Sequence, residues 1–380
     1  MSINLNLNII NQLSITEIIF IIILILSFCD QIFFYLLYYS RLKPYLNNNI
    51  PPYSCEKPLS VIISAKNEAK NLKKSLPLVL NQDYPDFEVI LVNDGSTDNT
   101  SEILKEFSKT YNNLKIINIE QSHGKKEALS IAIQNSSHEY LVFTDADCYP
   151  LSEKWLSTIS SKFSEKKQII LGYGAYEKQT GFLNGFIRYD TFLIALQYFT
   201  AANMGVAYMG VGRNLAYTKK TWIKTQGFES HKNILSGDDD LFIIQAATYE
   251  NVEICLDSDA FTYSIPKKTL HSFVKQKSRH VSTSSKYKFI NILFSAGELI
   301  SRSVFFISAV ILLAFGNLTL FILMLLTIRI IIIYTSGYYL RKKLKNKIKF
   351  HFYILFDIFA PIFYLGVFAF KLLTFNKKEW

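Results

Sequence analysis

Two aspartates separated by one alanine, Asp145 and Asp147, follow a short run of mostly apolar residues at 140–144. Carboxylates at this spacing, just past a buried strand, can converge on one hard cation. Mg²⁺ and Mn²⁺ favour a few carboxylates together with the phosphate oxygens of a substrate. A metal-bridged diphosphate is a good leaving group because the ion neutralises charge as the bond breaks. The Asp-x-Asp string is common, and its place after the strand is what favours a metal site here.

Two further predicted strands also end in acidic residues. The run at 59–64 is followed by Glu68, and the run at 88–92 is followed by Asp94. Helix capping is the ordinary explanation for a single turn of this kind, and Asp98 is a common capping type. Three acidic strand ends at one edge of a sheet are harder to explain as caps, so this edge is the predicted site.

The elements that must position these side chains alternate along the chain. Strands are predicted at 59–64, 88–92, 114–119 and 140–144, with helices at 69–81, 98–110 and 124–136. This alternation predicts an α/β fold with a mostly parallel sheet covered by helices on both faces. In such sheets, ligands bind beyond the carboxyl ends of the strands.

Apolar residues are concentrated outside this region, in 15–39 and in 299–373, whereas 57–285 has the composition of a globular domain. The segment 15–39 is long enough to cross a bilayer. A cleaved signal peptide is disfavoured because the segment starts without Lys or Arg and large residues continue through Tyr39. The chain is therefore predicted to be a soluble domain attached to a membrane.

The predicted membrane topology rests on basic residues beside the spans. Arg41 and Lys43 follow the first span, and 341–349 carries six positive charges between two apolar stretches. Both stretches are expected on the cytoplasmic side, the second at anionic lipid. Gly316-Asn317 divides the next apolar block into spans at 299–315 and 318–339, and Pro361 could make the last segment, 350–373, re-entrant. The prediction is a multi-pass protein of the cell membrane with a cytoplasmic domain, and the composition is typical of a bacterial AT-rich genome.

Three ionisable residues inside the predicted spans lie at similar depths: Asp30, Arg329 and Asp357. A lone charge there is costly, so Arg329 is predicted to pair with Asp30 or with Asp357. The net charge of +10 comes without an RNA-binding motif, and nucleic acid is not an expected partner. The scattered cysteines Cys29, Cys55, Cys148 and Cys255 form no CxxC pair, which argues against a disulfide framework.

Five motifs resemble the family 2 glycosyltransferases in order and spacing, and the resemblance covers roughly residues 57–285. These motifs are 59–71 (LSVIISAKNEAKN), 89–100 (VILVNDGSTDNT), 124–129 (GKKEAL), 142–147 (VFTDAD) and 237–241 (GDDDL). The resemblance implies a GT-A fold, an inverting mechanism and a nucleotide-diphosphate sugar donor, usually a UDP-sugar.

The resemblance also implies roles for individual residues. Glu68 and Asp94 would contact the nucleotide base and ribose, and Lys125 would reach the base or the phosphates. Asp145 would lie against the ribose and the metal, and Asp147 would ligate Mn²⁺ or Mg²⁺ directly.

In the GDDDL motif, the match to the family's Glu-Asp-x-Asp-Leu places the catalytic base at Asp238, with Asp239 as the fallback. The base would take the proton of the acceptor hydroxyl as its oxygen attacks the anomeric carbon opposite the diphosphate. An acidic N-cap of the helix that starts near Leu241 is the alternative interpretation.

Two later segments are assigned by the same resemblance. The segment 210–217 (GVGRNLAY) matches the acceptor-side region, where Gly210 and Gly212 could let the backbone approach a sugar. Gln276 and Arg279 fit the QxxRW motif of processive membrane enzymes, so that Arg279 would bind the diphosphate. His280 stands where those enzymes carry Trp, on the acceptor side with Asp239.

The mixed basic and apolar segment 267–288 is predicted to form an interfacial helix. The leading interpretation is transfer of a sugar to a hydroxyl of a lipid or lipid-linked glycan at the membrane face. A processive polysaccharide synthase is the alternative, against which the missing Trp and the few spans argue. A catalytically inactive membrane scaffold is the alternative of a different class.

Overall fold

The computed structural model describes residues 13–46, 57–234 and 236–374. Cys55 lies outside these residues; the other three cysteines are free. The strands are β1 (Leu59–Ala65), β2 (Phe87–Asp94), β3 (Leu114–Ile119), β4 (Tyr140–Phe143), β5 (Cys148–Pro150), β6 (Ile169–Gly172), β7 (Gly174–Tyr176), β8 (Leu215–Thr218), β9 (Val252–Cys255) and β10 (Thr262–Ser264). The α-helices are α1 (Ile15–Ile32), α2 (Ala69–Leu80), α3 (Thr100–Thr110), α4 (Lys125–Gln134), α5 (Trp155–Ser160), α6 (Phe182–Asn203), α7 (Lys219–Lys224), α8 (Asp240–Ala246), α9 (Leu270–Ser282), α10 (Phe289–Phe315), α11 (Thr319–Ser336), α12 (Tyr338–Lys343) and α13 (Phe350–Leu373).

The main sheet has seven strands in the order β3-β2-β1-β4-β8-β6-β9. The four strands predicted from sequence form its parallel half, with β1 between β2 and β4. β8 runs antiparallel to both β4 and β6, so the sheet is mixed. The predicted α/β class is confirmed, and the carboxyl ends of β1, β2 and β4 meet at one edge.

Both faces of the parallel half are buried because its strands are apolar on both sides. Val61 and Ile63 of β1 pack with Leu72 of α2 on one face. Ile62 packs with Ala128 of α4 on the other face. Helices on both faces leave only the strand ends open for polar side chains, as expected for parallel strands.

A smaller sheet, β5-β10-β7, lies next to the acidic edge. β10 pairs antiparallel with β5 and parallel with β7, joining Ser264 to Cys148 and Tyr176. This sheet connects the chain just after Asp147 to the segment that leads into α9. It therefore forms a second wall beside the predicted metal pair.

Within the described ranges, four helical segments are long and apolar enough to cross a membrane: Ile15–Leu46, α10, α11 and α13. The first extends beyond α1 through a π-helical turn, Phe33–Tyr38, and a 3₁₀ segment, Tyr39–Leu46. α10 begins at Phe289, earlier than the predicted residue 299. α13 continues as one helix across Pro361. Whether α13 crosses the bilayer or re-enters it stays a prediction.

The predicted interfacial segment contains helix α9 and a 3₁₀ turn at Thr283–Lys286. α9 packs on α13, where the Phe273 and Phe363 rings stack with centroids 5.1 Å apart. Lys371 Nζ donates to the carbonyl of Val281 at 3.3 Å. The segment after the catalytic motifs thus lies directly on a candidate spanning helix.

Buried charges among these helices form a closed cluster, which we call the helix-bundle ion cluster: Glu298, Arg302, Arg329 and Asp357. Arg329 makes two hydrogen bonds to Asp357, one of them 3.2 Å long from Nη2 to Oδ1. The predicted alternative pairing of Arg329 with Asp30 is therefore wrong. Arg302 pairs with Glu298 one turn earlier on α10 and lies 3.5 Å from Asp357. Arg302 was overlooked from sequence, although it lies inside the predicted span 299–315.

Candidate active site

A cavity of ≈ 730 Å³ lies beyond the carboxyl ends of β1, β2 and β4. All but one of the residues predicted for the site line it: Glu68, Asp94, Lys125, Asp145, Asp147, Gly212, Asp238, Asp239, Gln276, Arg279 and His280. Gly210 is the exception. A Cβ at Gly210 would meet the side chains of Leu215 and Leu171 at 3.1 and 3.3 Å. The position of Gly210 in the core therefore does not support its predicted contact with a sugar.

The carboxylates of Asp145 and Asp147 lie close to the Cys148 thiol. Each of the three residues offers one possible metal-ligand atom, and these atoms lie within 4.8 Å of one another. Burial raises the pKa of Cys148 well above its usual range, and its Sγ donates to Asp147 Oδ1 at 3.1 Å. In this structure the thiol is therefore a donor to the Asp147 carboxylate.

Opposite electrostatic effects act on the two carboxyls. Burial and the charge of Asp145 raise the pKa of Asp147. Burial disfavours the charged form of Asp145, but the charges of Lys125 and Arg213 outweigh burial and lower its pKa. A cation between the two groups would favour ionised Asp147, so the donor set fits a hard divalent ion.

Lys125, the first residue of α4, connects the acidic pair to the GDDDL motif. Its Nζ lies 2.8 Å from Asp145 Oδ1 and 2.7 Å from Asp238 Oδ2. Gly124 precedes it with φ +96°, a conformation that glycine adopts readily. One ammonium group thus holds carboxylates from two different loops at the centre of the cavity.

The three aspartates of the GDDDL motif have different environments. Asp239 Oδ2 accepts from the backbone N–H of Gly212 at 3.0 Å, and its Oδ1 accepts from the backbone N–H of Asp240 at 2.8 Å. Burial and the charges of Asp238 and Asp240 raise the pKa of Asp239 to about 7. Asp239 precedes α8 as its N-cap residue, so the capping interpretation applies to it.

Asp240 faces away from this bond network, toward the membrane-side elements. Its Oδ2 accepts hydrogen bonds from the hydroxyls of Thr283 and Tyr287, the latter at 2.6 Å. These bonds tie the GDDDL loop to the turn that follows α9. No role was predicted for Asp240 from sequence, and its contacts with Thr283 and Tyr287 indicate a positioning role.

Glu68 and Asp94, predicted to contact the nucleotide, differ in accessibility. Asp94 is only 1 % exposed, and its oxygens accept from the Ser122 hydroxyl and from the backbone N–H groups of His123 and Gly124. It therefore holds the loop that leads to α4. Glu68 accepts from Asn71 at 2.5 Å, and burial raises the pKa of Glu68.

Arg213 is a further cavity residue that sequence reasoning missed. Its guanidinium lies over the Tyr176 ring, 4.5 Å from the centroid. A Cβ at Gly174 would lie 2.5 Å from Arg213 Nε, so only glycine leaves room for this side chain. Arg213 stands between Gly212 and Asn214 in the GVGRN segment. The presence of an arginine in this predicted acceptor-side segment is the sequence signal that could have identified it.

The QxxRH segment lies on α9 and closes the cavity on the side of the candidate spanning helices. Gln276 Nε2 donates to Tyr176 Oη at 3.2 Å, and Arg279 and His280 line the cavity. Enclosure by the cavity walls, with the nearby charges of Lys277 and Arg279, lowers the pKa of His280 well below its usual range.

The cavity extends from these polar residues to the candidate spanning helices. Beyond His280 it is lined by Ala296 and Leu299 of α10 and by Ala360, Tyr364 and Phe368 of α13. Phe368 is 46 % exposed, so this end of the cavity reaches the outer surface of the helices. The same space therefore joins an acidic, metal-compatible end to an apolar end.

The mixed sheet, its acidic strand ends and the lysine bridge agree with the α/β fold and the acidic site that the motifs predicted. Residues 60–214 match the family model described as Glycosyl transferase family 2. The chain therefore contains a glycosyltransferase domain of family 2, as the motifs predicted.

Curated relatives match over part of the chain. Glycosyltransferase AglE of Haloferax volcanii is 43% identical over 108 residues, which cover 27% of this chain and 35% of the relative. A poly-beta-1,6-N-acetyl-D-glucosamine synthase of Staphylococcus epidermidis is 39% identical over 89 residues, covering 23% of this chain and 21% of the relative. The chain thus spans about a third or less of the length of these relatives.

A solved structure extends the similarity in fold to most of the chain. The mannosyltransferase PcManGT from Pyrobaculum calidifontis, in complex with GDP-Man and Mn²⁺, matches with a TM-score of 0.58 at 17% identity. The match covers 91% of this chain and 98% of that one. At this identity the similarity establishes a shared fold.

Proposed function

We propose that this protein transfers a sugar from a nucleotide-diphosphate sugar to a hydroxyl group of a membrane-associated acceptor, with inversion at the anomeric carbon. The observation that carries the proposal is one cavity in which Asp145, Asp147, Lys125 and Asp238 converge, and which continues to α10 and α13. A sugar donor bound at the acidic end and an acceptor reaching in from the helices would meet at Asp238.

The donor end would use a divalent ion, Mn²⁺ or Mg²⁺, held by Asp147 and Asp145. The raised pKa of Asp147 beside Asp145 supports this donor set, and PcManGT is the neighbour solved with Mn²⁺. When bound, such an ion neutralises charge on a diphosphate leaving group. Lys125 and Arg279 would add positive charge on the phosphates, with Glu68, Asp94 and Gln276 completing the pocket.

Asp238 is the proposed base. Both oxygens of Asp239 accept backbone N–H groups, whereas Asp238 Oδ2 pairs with the ammonium group of Lys125. Asp238 could therefore receive the hydroxyl proton once Lys125 turns to the donor phosphates. Asp239, with a pKa of about 7, is the alternative base on the acceptor side.

The acceptor is proposed to be a lipid or lipid-linked glycan. The apolar end of the cavity, between α10 and α13, would receive its chain, and Gly212 and His280 would face the sugar or headgroup. We place the catalytic domain, 57–285, on the cytoplasmic side of a bacterial inner membrane, with the spans at 15–39 and 299–373.

A processive polysaccharide synthase is the second candidate, and the similarity to the poly-N-acetylglucosamine synthase favours it. Stacking by His280 is weaker than stacking by Trp, and this favours addition of one or few sugars. The donor is proposed to be a UDP-sugar. The GDP-Man complex of PcManGT makes GDP-sugars the alternative to test.

The test is turnover of UDP- and GDP-sugars by the detergent-purified protein, with and without Mn²⁺. Asp238→Asn is expected to lower turnover about 10²–10⁴-fold, the usual contribution of a general base. Asp239→Asn is expected to retain most activity. The reverse order would move the base to Asp239, and absence of turnover with every donor would favour an inactive scaffold.

A further inference from the structure

A second, smaller pocket of ≈ 180 Å³ lies on the other side of the Tyr173 and Tyr176 wall of the main cavity. We call it the basic pocket. Its lining is dominated by four cationic and three aromatic side chains: Lys178, Arg188, Lys345, Lys347, Tyr173, Tyr176 and Tyr263. Ala175, Leu344 and Asn346 complete it. The lining contains no Asp or Glu, which is the reverse of the acidic end of the main cavity.

The cations of the basic pocket lack acidic partners within the described ranges. None of the ion pairs between described residues involves Lys178, Arg188, Lys345 or Lys347. Glu177, beside Lys178 in sequence, is already bound to Lys74 and Tyr149. Arg188 is half-buried, and burial lowers its pKa. Lys178, Lys345 and Lys347 are exposed, so an anion can reach the pocket from solvent, and its charge would offset the repulsion between the cations.

The backbone of this pocket is also held in an unusual conformation. Lys345 has φ +51°, a left-handed conformation that is costly for a lysine. The neighbouring Asn346 is buried, and its Nδ2 donates to the carbonyl of Arg188 at 3.1 Å. Its backbone N–H donates to the carbonyl of Arg341 at 2.8 Å. These bonds fix the loop so that Lys345 and Lys347 stand beside Arg188.

The location indicates what kind of anion could reach the pocket. Residues 344–347 join α12 to α13; α13 could cross a membrane, and the short helix α12 directly follows α11, another helix that could. The pocket therefore lies at the level where a bilayer surface would meet the catalytic domain. Guanidinium and ammonium groups bind phosphate oxygens well, and tyrosine hydroxyls can add donors.

We propose that the basic pocket binds a phosphate-bearing anion at the membrane surface, held by Arg188 with Lys345 and Lys347. The phosphate belongs either to the headgroup of an anionic lipid or to a soluble phosphate compound. The site is separate from the metal pair, and it does not depend on the proposed transferase activity.

The test is ligand binding by the full-length protein in detergent, measured by native mass spectrometry with phosphatidylglycerol, phosphatidylcholine and inorganic phosphate. Arg188→Gln and Lys347→Gln are expected to weaken anion binding about tenfold each, the scale of one lost charge-assisted hydrogen bond. Lys342→Gln is the matched control, because Lys342 is exposed in the same basic segment but does not line the pocket. Arg188→Lys should retain most of the binding.

The two sources of phosphate give different results. Variant-sensitive binding of phosphatidylglycerol that millimolar phosphate does not displace identifies a lipid headgroup. Variant-sensitive binding of inorganic phosphate, with phosphatidylglycerol binding unaffected by the substitutions, identifies a soluble anion. The proposal is overturned if Lys347→Gln and Arg188→Gln bind like the wild type. It is also overturned if Lys342→Gln weakens binding equally, because that result indicates only diffuse attraction to a basic loop.

Discussion

Two groups of buried charges in this molecule are built differently. The helix-bundle ion cluster has two carboxylates, Glu298 and Asp357, matched by two guanidinium groups, Arg302 and Arg329. Tyrosine hydroxyls close it: Tyr35 donates to Glu298 at 2.9 Å, and Tyr189 donates to Asp357 at 3.3 Å.

The second group, which we call the catalytic charge cluster, has an excess of negative charge. Its four carboxylates are Asp145, Asp147, Asp238 and Asp239, and its two fixed cations are Lys125 and Arg213. This cluster faces an open cavity. We therefore expect the balanced cluster to stabilise the fold and the unbalanced cluster to bind positive charge. Substitutions in the two clusters should therefore have separable effects.

The largest expected effect is on catalysis, from Asp147→Asn. We expect transfer to fall about 10⁴-fold, because an ion that stabilises the leaving group contributes several kcal/mol. The free energy of unfolding without divalent ions should be unchanged or raised, since the substitution removes repulsion with Asp145. Turnover with Mn²⁺ and thermal unfolding in EDTA measure the two quantities, with the exposed-site variant Asp83→Asn as control. Near-normal turnover by Asp147→Asn would contradict the assignment.

In the helix-bundle ion cluster, a substitution should lower stability and leave turnover largely unchanged. Arg329→Leu is expected to destabilise the protein by about 3–5 kcal/mol, because it leaves Asp357 buried with less compensation. The double change with Asp357→Leu should recover much of the loss, whereas the double change with Asp30→Leu should not. Size-exclusion profiles and thermal unfolding in detergent measure stability, and turnover per folded molecule should stay within about twofold. If Asp30→Leu restored stability instead, the pairing of Arg329 with Asp357 would not be the one that stabilises the protein.

The pH dependence of stability sharpens the contrast further. The pKa of Asp239 is raised from 3.8 to about 7 in the folded protein, so the folded state binds the proton more tightly than the unfolded state. Stability should therefore fall as pH rises from about 4 to about 7, by about 4 kcal/mol from this group. Asp239→Asn should flatten this part of the curve.

Unfolding midpoints at several pH values, without divalent ions, compare wild type with Asp239→Asn and with Asp83→Asn. Parallel curves for all three proteins would show that Asp239 has an ordinary pKa.

The smallest expected effect concerns the apolar end of the cavity. Leu299→Trp should raise the KM for a lipid acceptor about tenfold by filling the space between α10 and α13, with hydrolysis of the donor unchanged. Ile307→Trp is the matched control, because Ile307 is 54 % exposed on the same helix and does not line the cavity. Equal effects of both substitutions would place the acceptor elsewhere.

The parallel half of the sheet was predictable because its strands and helices alternate in a regular apolar pattern. The strands after residue 150 were not predicted, since β6 to β10 are only three or four residues long and their pairing depends on distant segments. The sheet is mixed because β8 runs antiparallel to its neighbours β4 and β6. The direction of a strand cannot be read from its local sequence pattern.

Site residues that directly follow a predicted strand, such as Asp145 and Asp147, were predictable from sequence. Lys125 was predictable from its motif. Contacts that depend on how distant segments pack together were not predictable from sequence. The location of Arg213 over Tyr176 requires Gly174, which is distant in sequence, and the tie from Asp240 to Tyr287 crosses two elements. Arg302 was missed because its partner Glu298 lies just before the predicted span, whereas α10 begins earlier.

The most direct test of the central claim is transfer of a labelled sugar to lipid. Purified protein in liposomes of native lipid extract would receive labelled nucleotide sugar with Mn²⁺, and label would be followed into the organic phase. We predict metal-dependent transfer by the wild type that is lost in both Asp147→Asn and Asp238→Asn. Transfer that continues in Asp147→Asn, or binding of the donor by the wild type without any transfer, would contradict the account.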